Sequence, residues 1–223
     1  MRLVAEPDAC HEFLEKSVDA ALAQLRQLHD AVGPYCDMLM IAHDIGDSIG
    51  VTIGPDLWRE IYKPHYRRLF SGWHKITDMK ISLHSCGAIF DVIGDLIECG
   101  LDVLNPVQIS ANGMEPERLK ATFGTRIIFY GGAYDAIKHG QLDTEEEVYE
   151  AVRENIRILS RGGGYLFAGV HNLPGDISEA HLRAILGAWR DVRGDRGTTP
   201  NRASPCQAEP DVPLPLVGEG GDS

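Results

Sequence analysis

The chain has 223 residues, of which 43% are hydrophobic, and its formal net charge at pH 7 is -12. This length and hydrophobic content predict one sizeable globular domain. The acidic balance, without any run of Lys or Arg, argues against a nucleic-acid partner, because binding to phosphates needs a basic surface. The sequence shows neither an apolar stretch of membrane-spanning length nor a signal pattern, so we expect no membrane contact and a cytoplasmic location.

Apolar residues recur with helical spacing in some segments and form short continuous runs in others. The helical spacing predicts helices over residues 8–32, 55–69, 88–99, 115–123, 144–161 and 177–192. The short runs predict strands over residues 38–42, 79–83, 102–104, 126–130 and 165–170, and the first of them reads as a strand buried on both faces. Because strands and helices alternate, we expect a parallel sheet, open or closed into a barrel.

Two segments of different composition are predicted. Residues 1–192 carry the alternating strands and helices and form the folded domain. Residues 193–223 are rich in Pro, Gly, Ser and acidic residues, with little apolar periodicity. This composition predicts a disordered tail, because such a segment buries too little apolar surface to fold.

Polar residues cluster where the predicted strands end. His84 and Cys86 stand two residues apart, so their side chains project to the same side of the sheet and can bind one metal ion together. The last predicted strand ends at His171, a candidate third ligand. The other candidates at strand ends are a catalytic residue, Asp44, and five substrate-binding residues, Asn105, Gln108, Gly131, Gly132 and Asn172. Because a (β/α)8 barrel builds its active site at this rim, the distribution predicts an enzyme.

Most of these candidates also have a structural interpretation. His84 and Cys86 fit a packed histidine beside a buried thiol, because free cysteines are often buried. His171 fits a substrate-binding residue or a hydrogen-bonded histidine at the rim. Asn105 and Gln108 fit residues that cap the turn after their strand. These alternatives stay open at the level of sequence.

The acidic residue and the two glycines at the strand ends have different expected roles. Asp44 is expected to orient a ligand histidine or a substrate proton, since carboxylates often lie beside zinc ligands. Its neighbour His43 is expected to point to the opposite face, because adjacent strand residues alternate. Gly131 and Gly132 are expected to serve backbone geometry or close substrate approach rather than phosphate binding, because no Walker-type lysine follows them.

Four segments in chain order resemble a known family: residues 84–87, 95–108, 129–132 and 163–172. Together they are similar to the uroporphyrinogen decarboxylase superfamily, over roughly residues 8–192. The His-x-Cys-Gly motif of residues 84–87 resembles the cobalamin-dependent methyltransferase branch of that superfamily. The resemblance implies an α/β fold of the (β/α)8 TIM-barrel type.

The resemblance also implies a chemistry. It implies a zinc site of His84, Cys86 and a third ligand, which activates a small methyl acceptor such as a thiol. The methyl group would come from methylcobalamin carried by a partner corrinoid protein. Many members of this branch use cysteine as the third ligand, whereas the matching strand end here carries His171, which changes the charge of the site by one unit. Because zinc at such a site would also activate a bound water, the ligand set alone leaves hydrolysis open.

Only five strands are predicted, whereas a complete barrel has eight strands and typically about 250 residues. We therefore expect a barrel truncated to about five C-terminal βα units. An incomplete barrel exposes two sheet edges, which favours self-association or a complementary chain. Two alternative functions stay open: a uroporphyrinogen decarboxylase of porphyrin biosynthesis, although the arginine-bearing segment of those enzymes has no counterpart here, and a non-catalytic interaction module.

Overall fold

The computed structural model describes residues 2–194. Its helices, labelled α1 to α9, are Arg2–Ala5, Pro7–Val32, Pro55–Ile61, Lys63–His74, Phe90–Cys99, Pro116–Phe123, Ala136–His139, Glu145–Leu159 and Glu179–Gly194. Its strands, labelled β1 to β5, are Met38–Ala42, Lys80–His84, Val103–Asn105, Ile128–Tyr130 and Tyr165–Leu166. The tail predicted over residues 193–223 lies outside the described residues from position 195 onward.

The five strands form one parallel sheet whose spatial order, β1-β2-β3-β4-β5, follows the chain. Helices make the crossovers between successive strands, which confirms the predicted α/β architecture of a partial TIM barrel. The register places Ala42, His84 and Asn105 side by side at the carboxyl ends of β1, β2 and β3. The rim therefore gathers residues that are far apart in the chain.

One face of the sheet packs against the helices. Paired residues Leu83, Leu104 and Phe129 point to this face and are fully buried. The opposite face is more open, and it exposes Met40 to 40% and Leu166 to 41%. The sheet thus has a covered outer face and an inner face that is exposed at β1 and β5, although Ser82 and Val103 at the centre of that inner face are buried.

The prediction that β1 is buried on both faces is wrong. None of its residues, Met38–Ala42, is fully buried, and Met40 is exposed. In the described part of the chain β1 pairs with β2 alone, so it is an edge strand. A continuous apolar run is typical of a central strand that is buried on both faces. Here β1 has the apolar run of a central strand but the position of an edge strand.

Two other boundaries differ from the predictions. The helix predicted over residues 55–69 is two helices, α3 and α4, with Tyr62 between them. Pro64 lies in the first turn of α4, where its missing N–H costs nothing, whereas it would disrupt a continuous helix.

The last strand is shorter than the predicted 165–170. Gly131 and Gly132 have φ angles of +100° and +80°, which take the chain out of β4 and end the regular ladder. Single backbone hydrogen bonds continue beyond the ladder, from Gly131 to Leu166 and from Val170 to Tyr134. The segment after β5 therefore stays beside the segment after β4 as far as the carboxyl edge of the sheet.

Two hydrophobic cores support this sheet. The main core joins the outer face to α3, α4, α5 and α6. A smaller core joins α8 and α9 around residues such as Val152, Ile156 and Ala188. At the start of α8, Thr144 and Glu147 exchange hydrogen bonds and form a capping box. Within residues 2–194, no helix combines the length and apolar character needed to span a bilayer.

Candidate metal centre

Three metal-ligating side chains meet at the carboxyl edge of the sheet. His84 ends β2, Cys86 follows it in the next turn, and His171 arrives from the segment after β5. One ligand atom from each residue lies within 4.8 Å of the other two. His84 Nε2 and Cys86 Sγ are 3.6 Å apart, and the rings of His84 and His171 meet edge-on with centroids 5.9 Å apart.

The spacing and chemistry of this group fit zinc. With the usual Zn–N and Zn–S bond lengths, two ligand atoms of a tetrahedral site are about 3.6 Å apart. The distance from His84 Nε2 to Cys86 Sγ matches that edge. The set has two imidazole nitrogens and one sulfur, a mixture that zinc binds well. It is the one such group of three or more ligands found within residues 2–194.

Asn105 fixes the orientation of the His84 ring. Its Oδ1 lies 2.8 Å from His84 Nδ1, and its Nδ2 donates to the carbonyl of Tyr130 at 3.4 Å. An amide oxygen accepts, so Nδ1 carries the proton and Nε2 is free to bind a metal. Asn105 is itself buried, so its amide supports the ring rather than facing open space.

Side chains from neighbouring loops hold the turn that carries Cys86. The backbone N–H of Cys86 donates to Asp44 Oδ1 at 2.9 Å, and that of Gly87 donates to Gln108 Oε1 at 2.7 Å. Gly87 has a φ of +92°, and a Cβ there would lie 2.5 Å from the carbonyl oxygen of Asp47. The turn therefore needs glycine directly after the candidate ligand.

The protein environment of Cys86 favours the protonated form of its thiol. Burial raises its pKa, and the negative charge of Asp44 raises it further. A cation at the ligand cluster would reverse this preference, because metal-bound thiols lose their proton.

A cavity of about 180 Å³ opens beside the ligands. Cys86, Gln108, His171 and Asn172 contribute to its lining, so four of the sequence-predicted residues surround one space. Its other lining residues are Tyr134, Asp135, Ala136, Ile137 and Val170. A space of this size suits a small molecule.

Asp135 and His139 were missed from the sequence. The Asp135 side chain is only 1% exposed, and its carboxylate accepts hydrogen bonds from the backbone N–H groups of Ser110 and Ile137 at 3.0 and 2.9 Å. His139 Nδ1 accepts the backbone N–H of Asp135 at 3.0 Å. Burial lowers the pKa of His139 to about 4, although the charge of Asp135 opposes the shift. The available signal was an acidic residue shortly after Gly131-Gly132, at the same rim.

The remaining candidates lie away from the ligand atoms. A Cβ on Gly131 would lie 2.8 Å from the carbonyl oxygen of Gly169, and one on Gly132 would lie 2.9 Å from Val107 Cβ. Both glycines permit close backbone packing, and neither lines the 180 Å³ cavity. His43 instead packs beside Tyr66, to which its Nδ1 is hydrogen bonded, and burial lowers its pKa.

Comparison with known proteins identifies the family. The profile of the uroporphyrinogen decarboxylase (URO-D) family matches residues 1–192. The chain belongs to the uroporphyrinogen decarboxylase family. Among solved structures, a methyltransferase from Methanosarcina mazei matches this URO-D chain with a TM-score of 0.65 and 15% sequence identity. The match covers 86% of this chain and 52% of that one, so the chain spans about half the length of its structural neighbour. A comparison with curated protein sequences finds no match.

Family membership and the neighbour together establish the fold, since 15% identity speaks for architecture alone. The URO-D superfamily includes both decarboxylases and methyltransferases. The choice between these two activities therefore depends on the residues at the rim.

Proposed function

We propose that this URO-D domain is a zinc-dependent methyltransferase. It would transfer a methyl group from methylcobalamin, carried by a partner corrinoid protein, to a small-molecule acceptor. The observation that carries the proposal is the convergence of His84, Cys86 and His171 within 4.8 Å, beside a cavity of about 180 Å³. The methyltransferase named among similar structures adds support through its fold.

Zinc bound by these three residues would supply an open fourth position at which an acceptor thiol loses its proton at neutral pH. The chain provides the surrounding functions. Asn105 holds the His84 ring, and Asp44 holds the turn of Cys86. In this proposal the exposed carboxylate of Asp44 also accepts a proton from the acceptor. In this proposal Gln108 and Asn172 bind the acceptor through their amide groups in the cavity.

The lining of the 180 Å³ cavity favours this function over porphyrinogen decarboxylation. A porphyrinogen carries many carboxylates, which arginine or lysine side chains would bind. The residues that line the 180 Å³ cavity include neither. The volume is also far below that of a tetrapyrrole. Decarboxylase activity and a non-catalytic interaction module remain the alternatives to be tested.

The metal is tested first, by elemental analysis of the purified protein. We expect about one zinc per chain, as a three-ligand site implies. Cys86→Ser should abolish zinc retention, because it removes the only sulfur of the set. Cys10→Ser is the matched control, since it removes a free thiol on α2. Undiminished zinc in Cys86→Ser would refute the site.

The activity and the partner need a second experiment. The zinc-loaded protein is mixed with a methylated corrinoid protein and a panel of small thiols, and methylated product is measured. Product that depends on both zinc and corrinoid supports the proposal. Normal zinc content without product or corrinoid association would leave a metal-binding module and exclude the methyltransferase.

A further inference from the structure

A second cavity lies at the opposite end of the sheet from the candidate metal centre. Its volume is about 780 Å³, several times that of the cavity beside His171. The turns that lead into β3, β4 and β5 form its walls, together with Lys80 at the start of β2. None of the metal-site candidates lines it, so the proposed methyl transfer does not account for it.

Positive side chains dominate this amino-end cavity. Lys80, Lys120, Arg126 and Arg161 line it, and Asp102 is its one acidic lining residue. This local balance is opposite to that of the whole chain, whose formal net charge is -12. Concentrating cations in one depression raises the local concentration of anions there.

The ammonium group of Lys120 has only carbonyl partners among its hydrogen bonds within residues 2–194. Its Nζ donates to the carbonyl oxygens of Gly163 at 2.7 Å and Gly124 at 3.5 Å. Burial lowers the pKa of Lys120. A charge that is partly removed from water and faces no carboxylate is stabilised when an anion arrives.

The single carboxylate of the cavity is already engaged. Asp102 Oδ1 accepts from Lys80 Nζ at 3.1 Å, and Oδ2 accepts from the backbone N–H of Ile81 at 3.0 Å. Asp102 therefore offsets Lys80 but leaves the charges of Lys120, Arg126 and Arg161. Three net positive charges around one space call for a ligand with more than one negative charge.

We propose that the amino-end cavity binds a small, multiply charged anion whose oxygens are clustered, as in a polyphosphate or a polycarboxylate. Arginine binds such oxygens through paired N–H groups, and lysine binds them as a point charge. The glycine turn at residues 162–164 adds no side chains that would narrow the entrance.

The test is isothermal titration calorimetry with tripolyphosphate and, separately, with citrate, at low and high ionic strength. Both probes chelate zinc, so the titration is repeated on Cys86→Ser, in which the candidate metal centre is disabled. We expect saturable binding with one anion per chain in both proteins, weaker at high salt. Tighter binding of tripolyphosphate would identify a phosphate ligand, and tighter binding of citrate a polycarboxylate.

Variants decide whether the cavity is the site. Lys120→Met and Arg161→Ala should each weaken binding at least tenfold, because a charge-assisted contact is lost. Lys16→Ala is the matched control, since it removes one exposed charge on α2 and should leave the affinity unchanged. Should Lys120→Met fail to fold, Arg161→Ala decides, because Arg161 is exposed in a turn. Absence of saturable binding, or equal weakening by Lys16→Ala, would overturn the proposal.

Discussion

A single amide orients one of the candidate ligands. The side chain of Asn105 occupies Nδ1 of His84 and leaves Nε2 for the metal. Asn105→Ala should lower zinc affinity about 10- to 100-fold, the usual cost of removing a partner of a ligand histidine. Competition with a chromophoric chelator measures this affinity.

Asn172→Ala is the control for that substitution. Asn172 has the same functional group and lines the cavity. It should keep its zinc affinity, although acceptor binding should weaken. Equal losses of zinc in the two variants would mean that Asn105 has no specific role at the ligand.

His139 makes stability depend on pH. Its pKa falls from 6.5 to about 4 on folding, so below pH 6.5 the unfolded chain binds a proton that the folded chain does not. The free energy of unfolding should therefore decrease as the pH falls from 6.5 towards 4, by on the order of 3 kcal/mol from this residue alone. Denaturant titrations at several pH values measure the decrease.

His139→Gln should reduce this pH dependence, because glutamine does not titrate and retains an acceptor for the backbone N–H of Asp135. Lys16→Gln, at an exposed position on α2, should leave the dependence intact. A steep dependence that survives in His139→Gln would assign it to other groups, such as His43 or His65, whose pKa values burial also lowers.

Strand periodicity explains why the sequence pointed to some site residues and missed others. His84 and Cys86 are two residues apart, and this spacing predicts both on one side of a strand end, although β2 ends at His84 and Cys86 lies in the turn that follows. Their role as ligands stays a prediction, although the structure brings them together with His171. Asp135 and His139 owe their properties to burial by distant segments, which no local pattern reports.

Helices α8 and α9 form a smaller core of their own, apart from the core around α5. Fewer buried residues support the smaller core, so it should open locally at a lower free energy than the rest. We expect faster amide hydrogen exchange in α9 than in α5, measured by mass spectrometry on peptides from each helix. Uniform protection of the two helices would show one cooperative core.

At the level of elements, periodicity located most helices and strands within two or three residues. It failed where the chain needs a special backbone. The break at Tyr62 follows from Pro64, and the early end of β5 follows from the left-handed conformations of Gly131 and Gly132. It also missed the four-residue helix α7, which is too short to show a period.

The whole sheet is open at both ends of its strand order. In the described residues β1 and β5 each have one neighbour, and the register places Met40 and Leu166 on the same inner face, where both side chains are exposed. We propose that this face and the free edges associate with a second copy of the chain, because exposed strands and apolar side chains favour pairing.

Sedimentation velocity over a range of concentrations tests this association. We expect the average mass to rise with concentration, and Met40→Lys to lower that rise by placing a charge on the exposed part of the inner face. Ile137→Lys is the control, since Ile137 is 64% exposed on α7, outside the sheet. A monomer at every concentration would argue against a second copy and leave a complementary chain as the occupant.

The number of βα units and their openness were predictable because each unit has its own apolar pattern and five such patterns are present. The partner that covers the exposed part of the sheet was not predictable. An apolar strand has the same sequence pattern whether or not another strand pairs with it. The exposed side of Met38–Ala42 is the clearest case.

The candidate ligands also have a topological meaning. Cys86 and His171 are separated by 85 positions, and the chain between them contains β3, β4, β5 and helices α5 to α8. One ion held by both would close that whole stretch into a loop, much as a disulfide does. In the chain-entropy model, such a closure lowers the conformational entropy of the unfolded chain, which raises the free energy of that chain by about 4 to 5 kcal/mol. A bound ion would then act as a reversible cross-link that stabilises the open sheet.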